Sequence, residues 1–137
     1  MYFLTLIPAF FLFFFKPDHS VHITITNLDG ESGDLFIGWY NRPEGFRVLD
    51  KAFYKRVVPV QTRDEAQVTF EVTPGTYAIA VFLDTNSNGK LDTNLFGAPT
   101  EPYGFSNNKL FTFRPTSFDE AAVEIRSDAQ IRIALKK

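Results

Sequence analysis

Cysteine is absent from all 137 residues. That excludes a disulfide framework, a thiolate metal site, a cysteine nucleophile and a lipid-anchored lipoprotein cysteine. Histidine is scarce too. The two present, His19 and His22, match no triad or metal-ligand spacing, and His22 falls on the polar face of an alternating run. No excess of positive charge is available for a phosphate backbone: 14 basic against 16 acidic side chains leave a net charge of −2, which argues against nucleic acid. There is no phosphate-cradling glycine loop, no zinc signature and no Gly-x-Ser-x-Gly setting for Ser106. A small hydrolase is therefore the weakest of the readings that follow. What the chain does have is 45% apolar residues, enough to bury the core of a single domain, and 16 phenylalanines.

Six of those phenylalanines crowd into residues 1–15, an apolar run interrupted only by Thr5 and Pro8. As a helix it would reach about 22 Å at ~1.5 Å per residue, short of the ~30 Å hydrocarbon core. The length suits the apolar region of a secretory signal. No basic residue precedes the run and no small-x-small cleavage site precedes Lys16-Pro17-Asp18, so an uncleaved membrane anchor is the other reading. Residues 1–16 are expected to be a signal or N-terminal anchor, with the domain over 18–137. The protein is then exported, to a bacterial periplasm or beyond, and meets the membrane only through that segment.

The remainder reads as strands. Val21, Ile23 and Ile25 alternate with His22, Thr24 and Thr26, the period-two pattern of a half-buried strand. Leu35 to Tyr40 is apolar on both faces, which predicts a central strand carrying the single Trp39 into the core. Around Val48 to Phe53 a weak helical turn precedes a strand through Val57, Val58 and Val60. Val68, Phe70 and Val72 alternate, and Pro74-Gly75 opens a strand from Thr76 to Asp84. Val123 and Ile125 are expected to pair with Ile131, Ile133 and Leu135 through a Ser127-Asp128 turn. About seven short strands predict an all-β, antiparallel β-sandwich of immunoglobulin-like or prealbumin-like type.

One stretch departs from plain strand sequence. From Asp84 to Glu120 the chain runs 37 residues, far beyond the usual ~4–6 for a connection. Ser117-Phe118-Asp119-Glu120 has the form of a capping box and predicts a short helical turn. Asp84-Thr-Asn86-Ser-Asn88-Gly89-Lys90-Leu-Asp92 matches the first nine places of a calcium loop, with oxygens at places 1, 3, 5 and 9 and glycine at 6. Asp84, Asn86, Asn88, the Lys90 carbonyl and Asp92 are the candidate ligands. Place 12, where a bidentate Glu belongs, is Leu95. Glu101 or a water would have to replace it, and two carboxylates imply weak binding, in the ~10⁻⁴ to 10⁻³ M range. The alternative is a hairpin tip in which Asn88-Gly89 forms a type I′ turn and the other Asx side chains bond local backbone. Farther along, Tyr103, Phe105, Phe111 and Phe113 either line a binding groove or, the blander expectation, cap the open end of the sandwich as core.

The run Pro74-Gly-Thr-Tyr-Ala-Ile-Ala-Val-Phe82, the loop from Asp84 to Asn94, and Gly97-x-Pro99-x-Glu101-x-Tyr103-Gly-Phe-Ser-Asn-Asn108 together resemble the bacterial secreted family named domain of unknown function 2141. Pro115-x-Ser117-Phe-Asp-Glu-Ala121 and the C-terminal strand fit it too. The resemblance covers about residues 20 to 135 and is specific from 74 to 121. It implies a single exported domain and contributes no activity. Members often carry His immediately before the first loop Asp, where this chain has Leu83. The expected function is a non-enzymatic binding module for a protein or glycan of the cell envelope, stiffened by low-affinity Ca²⁺. The second reading is a structural or assembly accessory working through a sheet edge or the N-terminal anchor.

Overall fold

A computed structural model describes residues 18–137; the expected signal or anchor lies outside them. Eight strands form two packed sheets. Strands β1 (His19–Thr26), β2 (Gly33–Tyr40), β3 (Tyr54–Val60), β4 (Ala66–Val72) and β5 (Gly75–Asp84) fall where alternation predicts them. They are followed by β6 (Tyr103–Phe105), β7 (Ala122–Ile125) and β8 (Ala129–Ala134). The smaller sheet has the order β4-β1-β8, the larger β3-β2-β5-β6, with β7 also on β5. The predicted all-β sandwich is the observed fold. No helix among the described residues is long and apolar enough to cross a membrane.

The core follows from the period-two alternation. Val21, Ile23 and Ile25 of β1 and Val68, Phe70 and Val72 of β4 face Leu35, Ile37 and Trp39 of β2 and Tyr77, Ile79, Val81 and Leu83 of β5, all buried. A central strand buried on both faces needs a second covering layer, and one exists. On the outer face of the larger sheet, Tyr40, Ala78 and Phe105 are buried under Phe46 and Ala121. The predicted helical turn near Val48 is a 3-10 turn, Leu49–Lys51. The capping box forms as expected at the start of α1 (Phe118–Ala121): Ser117 Oγ accepts from Glu120 N, and the Glu120 carboxylate accepts from Ser117 N.

The C-terminal hairpin is corrected. β7 and β8 do not pair with each other. β7 pairs with β5 in the larger sheet, and β8 runs parallel to β1 in the smaller, the one parallel pairing among the named strands. β7 extends the β5 ladder beyond the end of β6, occupying backbone groups of Gly75 to Ala78 that β6 leaves free. Ser127-Asp128 is therefore a crossing between sheets, pinned where Asp128 Oδ1 accepts from Ser20 N at 2.9 Å. At the opposite corner Tyr103 exchanges two backbone hydrogen bonds with Lys136, tying β6 to the end of β8. A Cβ at Gly104 would stand 2.9 Å from the Ala134 carbonyl, so this corner closes because residue 104 has no side chain.

Candidate functional site

The expected long loop is built as a layer over the outer face of the larger sheet. Antiparallel register puts Phe36 opposite Phe82 and Phe82 opposite Tyr103 in one cross-strand row. The Phe36 and Phe82 rings stack in parallel with centroids 4.8 Å apart. The next row is Gly38, Ala80 and Phe105, small at its first two places. Three segments border this floor: residues 47–50, residues 89–99 and residues 111–115. Together they enclose a groove of about 970 Å³, at the upper end of the ~300–1,000 Å³ typical of small-molecule sites.

All four aromatic candidates line this groove. Phe105 belongs to the outer core cluster, as the capping reading expects. Tyr103, half-buried, packs against that cluster, whereas Phe111 is half-buried outside it and Phe113 is 99% exposed, so these last two do not close the sandwich as core. Phe36 and Phe82 complete the floor. Sequence reasoning assigned them only to strands; the available signal was that β2 and β5 are apolar on the face turned away from the core.

The groove walls are fixed by polar contacts. Arg114 caps the Phe111 ring at 3.7 Å and makes a two-pronged pair with Glu120, at 2.6 and 3.0 Å. With the Ser117 N–H adding to it, Arg114 holds the Glu120 carboxyl down at about 2. Because the folded value lies below the ordinary 4.5, the pair's contribution is present above pH ~4.5 and lost as pH falls from there towards about 2. Carboxyl resonances followed through an acid titration should show this, and Arg114→Gln should raise Glu120 towards the ordinary carboxylate range, the Ser117 N–H still holding it somewhat below. A Glu120 that titrates normally in the unaltered protein would mean the wall is unpinned. On the floor, Tyr40 lies under Phe46 in an edge-to-face contact. Burial pushes the Tyr40 phenol up to about 12 despite the opposing pull of Arg47, so it stays a neutral donor.

The 84–92 loop leaves β5 beside the groove, and its Lys90 reaches the rim. Asp84 is 1% exposed; its Oδ2 accepts from Gly89 N at 2.7 Å and its Oδ1 from Asn88 N at 3.3 Å. The left-handed residues are Ser87 and Gly89, not Asn88, so the Asn88-Gly89 type I′ turn does not form. The Asx side chains do bond local backbone as that reading expects, Asn86 Oδ1 accepting from Asn88 N and Asn88 Oδ1 from Lys90 N. Asp92 receives the Asn88 and Asn86 amides at 2.6 and 2.5 Å, which hold its carboxyl below the ordinary range, Asn88 most strongly. Leu95 points wholly to solvent. Glu101, 4% exposed, enters the loop instead, accepting from Thr85 N at 2.6 Å and Asp92 N at 2.9 Å. Asp34, which sequence reasoning missed, stands directly opposite Asp84 on the same face of the sheet. No three acidic or histidine side chains among the described residues are grouped tightly enough to hold an ion by themselves. Asn amide and backbone oxygens would have to complete any such shell.

His19 lies 3.8 Å from Asp128, and His22 Nδ1 shares a proton with Thr69 Oγ1 at 2.7 Å, both on the smaller sheet. Ser106 is fully buried, its hydroxyl engaged with the Ile79 and Ala121 backbone. The family model described as "Uncharacterized protein conserved in bacteria (DUF2141)" matches residues 23–133. No curated protein and no solved structure matches the chain.

Proposed function

The chain belongs to the DUF2141 family, and from its groove we propose that it is an exported, non-enzymatic binding domain whose outer sheet face takes a ligand between the long loops. One observation carries this reading: a groove of about 970 Å³, floored by Phe36, Phe82 and Tyr103, on a face that a two-sheet sandwich alone would leave to water. Stacked phenylalanines and an almost fully exposed Phe113 are costly there unless something covers them. The neighbouring loop is a weak Ca²⁺ site that fixes one wall. Asp84, Asn86, Asn88, the Lys90 carbonyl and Asp92 supply its oxygens, and Asp34 and Glu101 adjoin them. Two carboxylates directly opposed across strands repel, and a cation at that position removes the penalty. Absence of catalysis is supported by what surrounds the candidate nucleophile and bases. Ser106 is bound up in backbone, and both histidines lie on the other sheet.

The test is a set of ¹H–¹⁵N spectra of the labelled domain with four probes in turn: cellohexaose, an apolar decapeptide, indole and dodecanoate. At least one should shift the amides of Phe82, Tyr103 and Phe111 together in a saturable way. If none moves them, the groove is not a binding site and the reading falls.

A further inference from the structure

Resting on that reading of the groove, we infer that its ligand is a single-chain anionic amphiphile, a fatty carboxylate in chemical class, with the chain over the phenylalanine floor and the head at Arg47 and Lys90. Three observations lead there. The first is the shape of the floor. Rings with parallel planes and centroids 4.8 Å apart are offset-stacked, so Phe36 and Phe82 turn part of a face to each other. They offer no broad flat platform for a sugar or a planar base. An aliphatic chain needs only apolar surface.

The second is the kind of hydrogen-bonding group present. Among the lining residues no Asn, Gln or Glu occurs, and the one carboxylate, Asp50, lies 3.9 Å from Lys55. Besides the cations, the lining offers the hydroxyls of Tyr40, Thr93, Tyr103 and Thr112, so a polyhydroxylated ligand would find no side-chain amide and no unpaired carboxylate to receive it.

The third is charge. The chain as a whole is acidic, yet the charged residues lining the groove are Arg47, Lys90 and Arg114 against Asp50. Arg114 is engaged by Glu120 and Asp50 by Lys55. Among the described residues neither Arg47 nor Lys90 has a carboxylate within 4.0 Å. Two cations in no close ion pair, Lys90 feeling only the more distant charge of Asp92, complement one anionic head on an apolar tail. Phe96 and Phe113, 95% and 99% exposed on the rim, supply further apolar surface along the chain's path.

Titration calorimetry on the intact domain, below the micelle concentration, tests this with octanoate, decanoate, dodecanoate and neutral dodecanol. Affinity should rise roughly tenfold for each two methylenes added, as burial of the chain requires. Dodecanol should bind about tenfold more weakly than dodecanoate, and Arg47→Gln with Lys90→Gln should abolish that difference. The double variant should keep its melting temperature, since both side chains are exposed. Phe82→Asp, if it remains folded by circular dichroism, should lose all binding. Phe36→Ser serves as the second floor variant should Phe82→Asp unfold. If dodecanoate fails while cellohexaose, the decapeptide or indole shifts the groove amides, the fatty-anion assignment is overturned and the groove stands. If none of the probes binds, both fall. Equal affinity for dodecanol and dodecanoate would also sink the assignment, because the rim cations would then select nothing.

Discussion

Replacing Trp39 by alanine should lower the unfolding free energy by roughly 3–5 kcal/mol, a large part of the ~5–15 kcal/mol such a domain holds. Trp39 is fully buried on the core face of β2, with Phe70 at 5.3 Å and Tyr77 edge-on at 5.4 Å. The backbone of β2 is held on both sides, by β3 and by β5, so it cannot shift inward to close the vacated volume. The indole N–H has no hydrogen-bond partner among the described residues. Trp39→Phe should therefore cost much less than Trp39→Ala, since it removes that unpaired donor while keeping most of the apolar volume. Urea unfolding of both variants gives the comparison, read at constant slope so that the midpoint alone reports stability. Should Trp39→Ala keep the parent midpoint, the indole is not packed between the sheets and the assignment of the core face is wrong.

Trp39 was legible because strand alternation is local. Leu35, Ile37 and Trp39 announce one face within five residues, and the same holds for β1, β4 and β5. The capping box was legible for the same reason, its two partners lying three residues apart. Pairing was not. Val123 and Ile125 read identically whether their strand turns back on β8 or docks on β5, and only the unfilled edge of β5 beside Gly75 to Ala78 separates the outcomes. β6 has three residues, too few for a period to show. The groove floor escaped for a related reason. Phe36 and Phe82 are 46 positions apart, and nothing local says that register will stack them. Asp34 is the clearest case: its neighbours in sequence are a turn, and its neighbour in space is the first residue of the candidate calcium loop. The chemistry of that loop was visible in its spacing, and the want of an acid at Leu95 already pointed to Glu101, whereas Asp34 depends on the fold.

Asp84 carries the second large effect. In the metal-free loop its carboxylate accepts from the Gly89 and Asn88 amides, so Asp84→Ala should cost ~1–3 kcal/mol through lost charge-assisted hydrogen bonds. The lower end is expected, because residues 85–90 are exposed and water can reach the freed amides. A second loss should appear only with calcium. At ten times its dissociation constant Ca²⁺ should stabilise the parent by RT ln 11, about 1.4 kcal/mol, and Asp84→Ala should erase that increment entirely. Asp84→Asn separates the two losses: it keeps an acceptor for Gly89 N but removes the charge, so metal-free stability should largely survive while the calcium increment disappears. Lys90→Ala should retain the increment, since only the Lys90 carbonyl is a ligand. Mg²⁺ should substitute poorly, because its near-octahedral demand is badly met by a loop whose oxygens are amides, carbonyls and two carboxylates at irregular spacing. Gly89, at φ 78°, sets the chain reversal of the loop, so Gly89→Ala should weaken the increment as well. Melting curves at millimolar Ca²⁺, together with amide exchange across residues 84–92, measure all of these. If neither changes in the parent protein, the loop is a hydrogen-bonded turn and the wall of the groove stands without a cation.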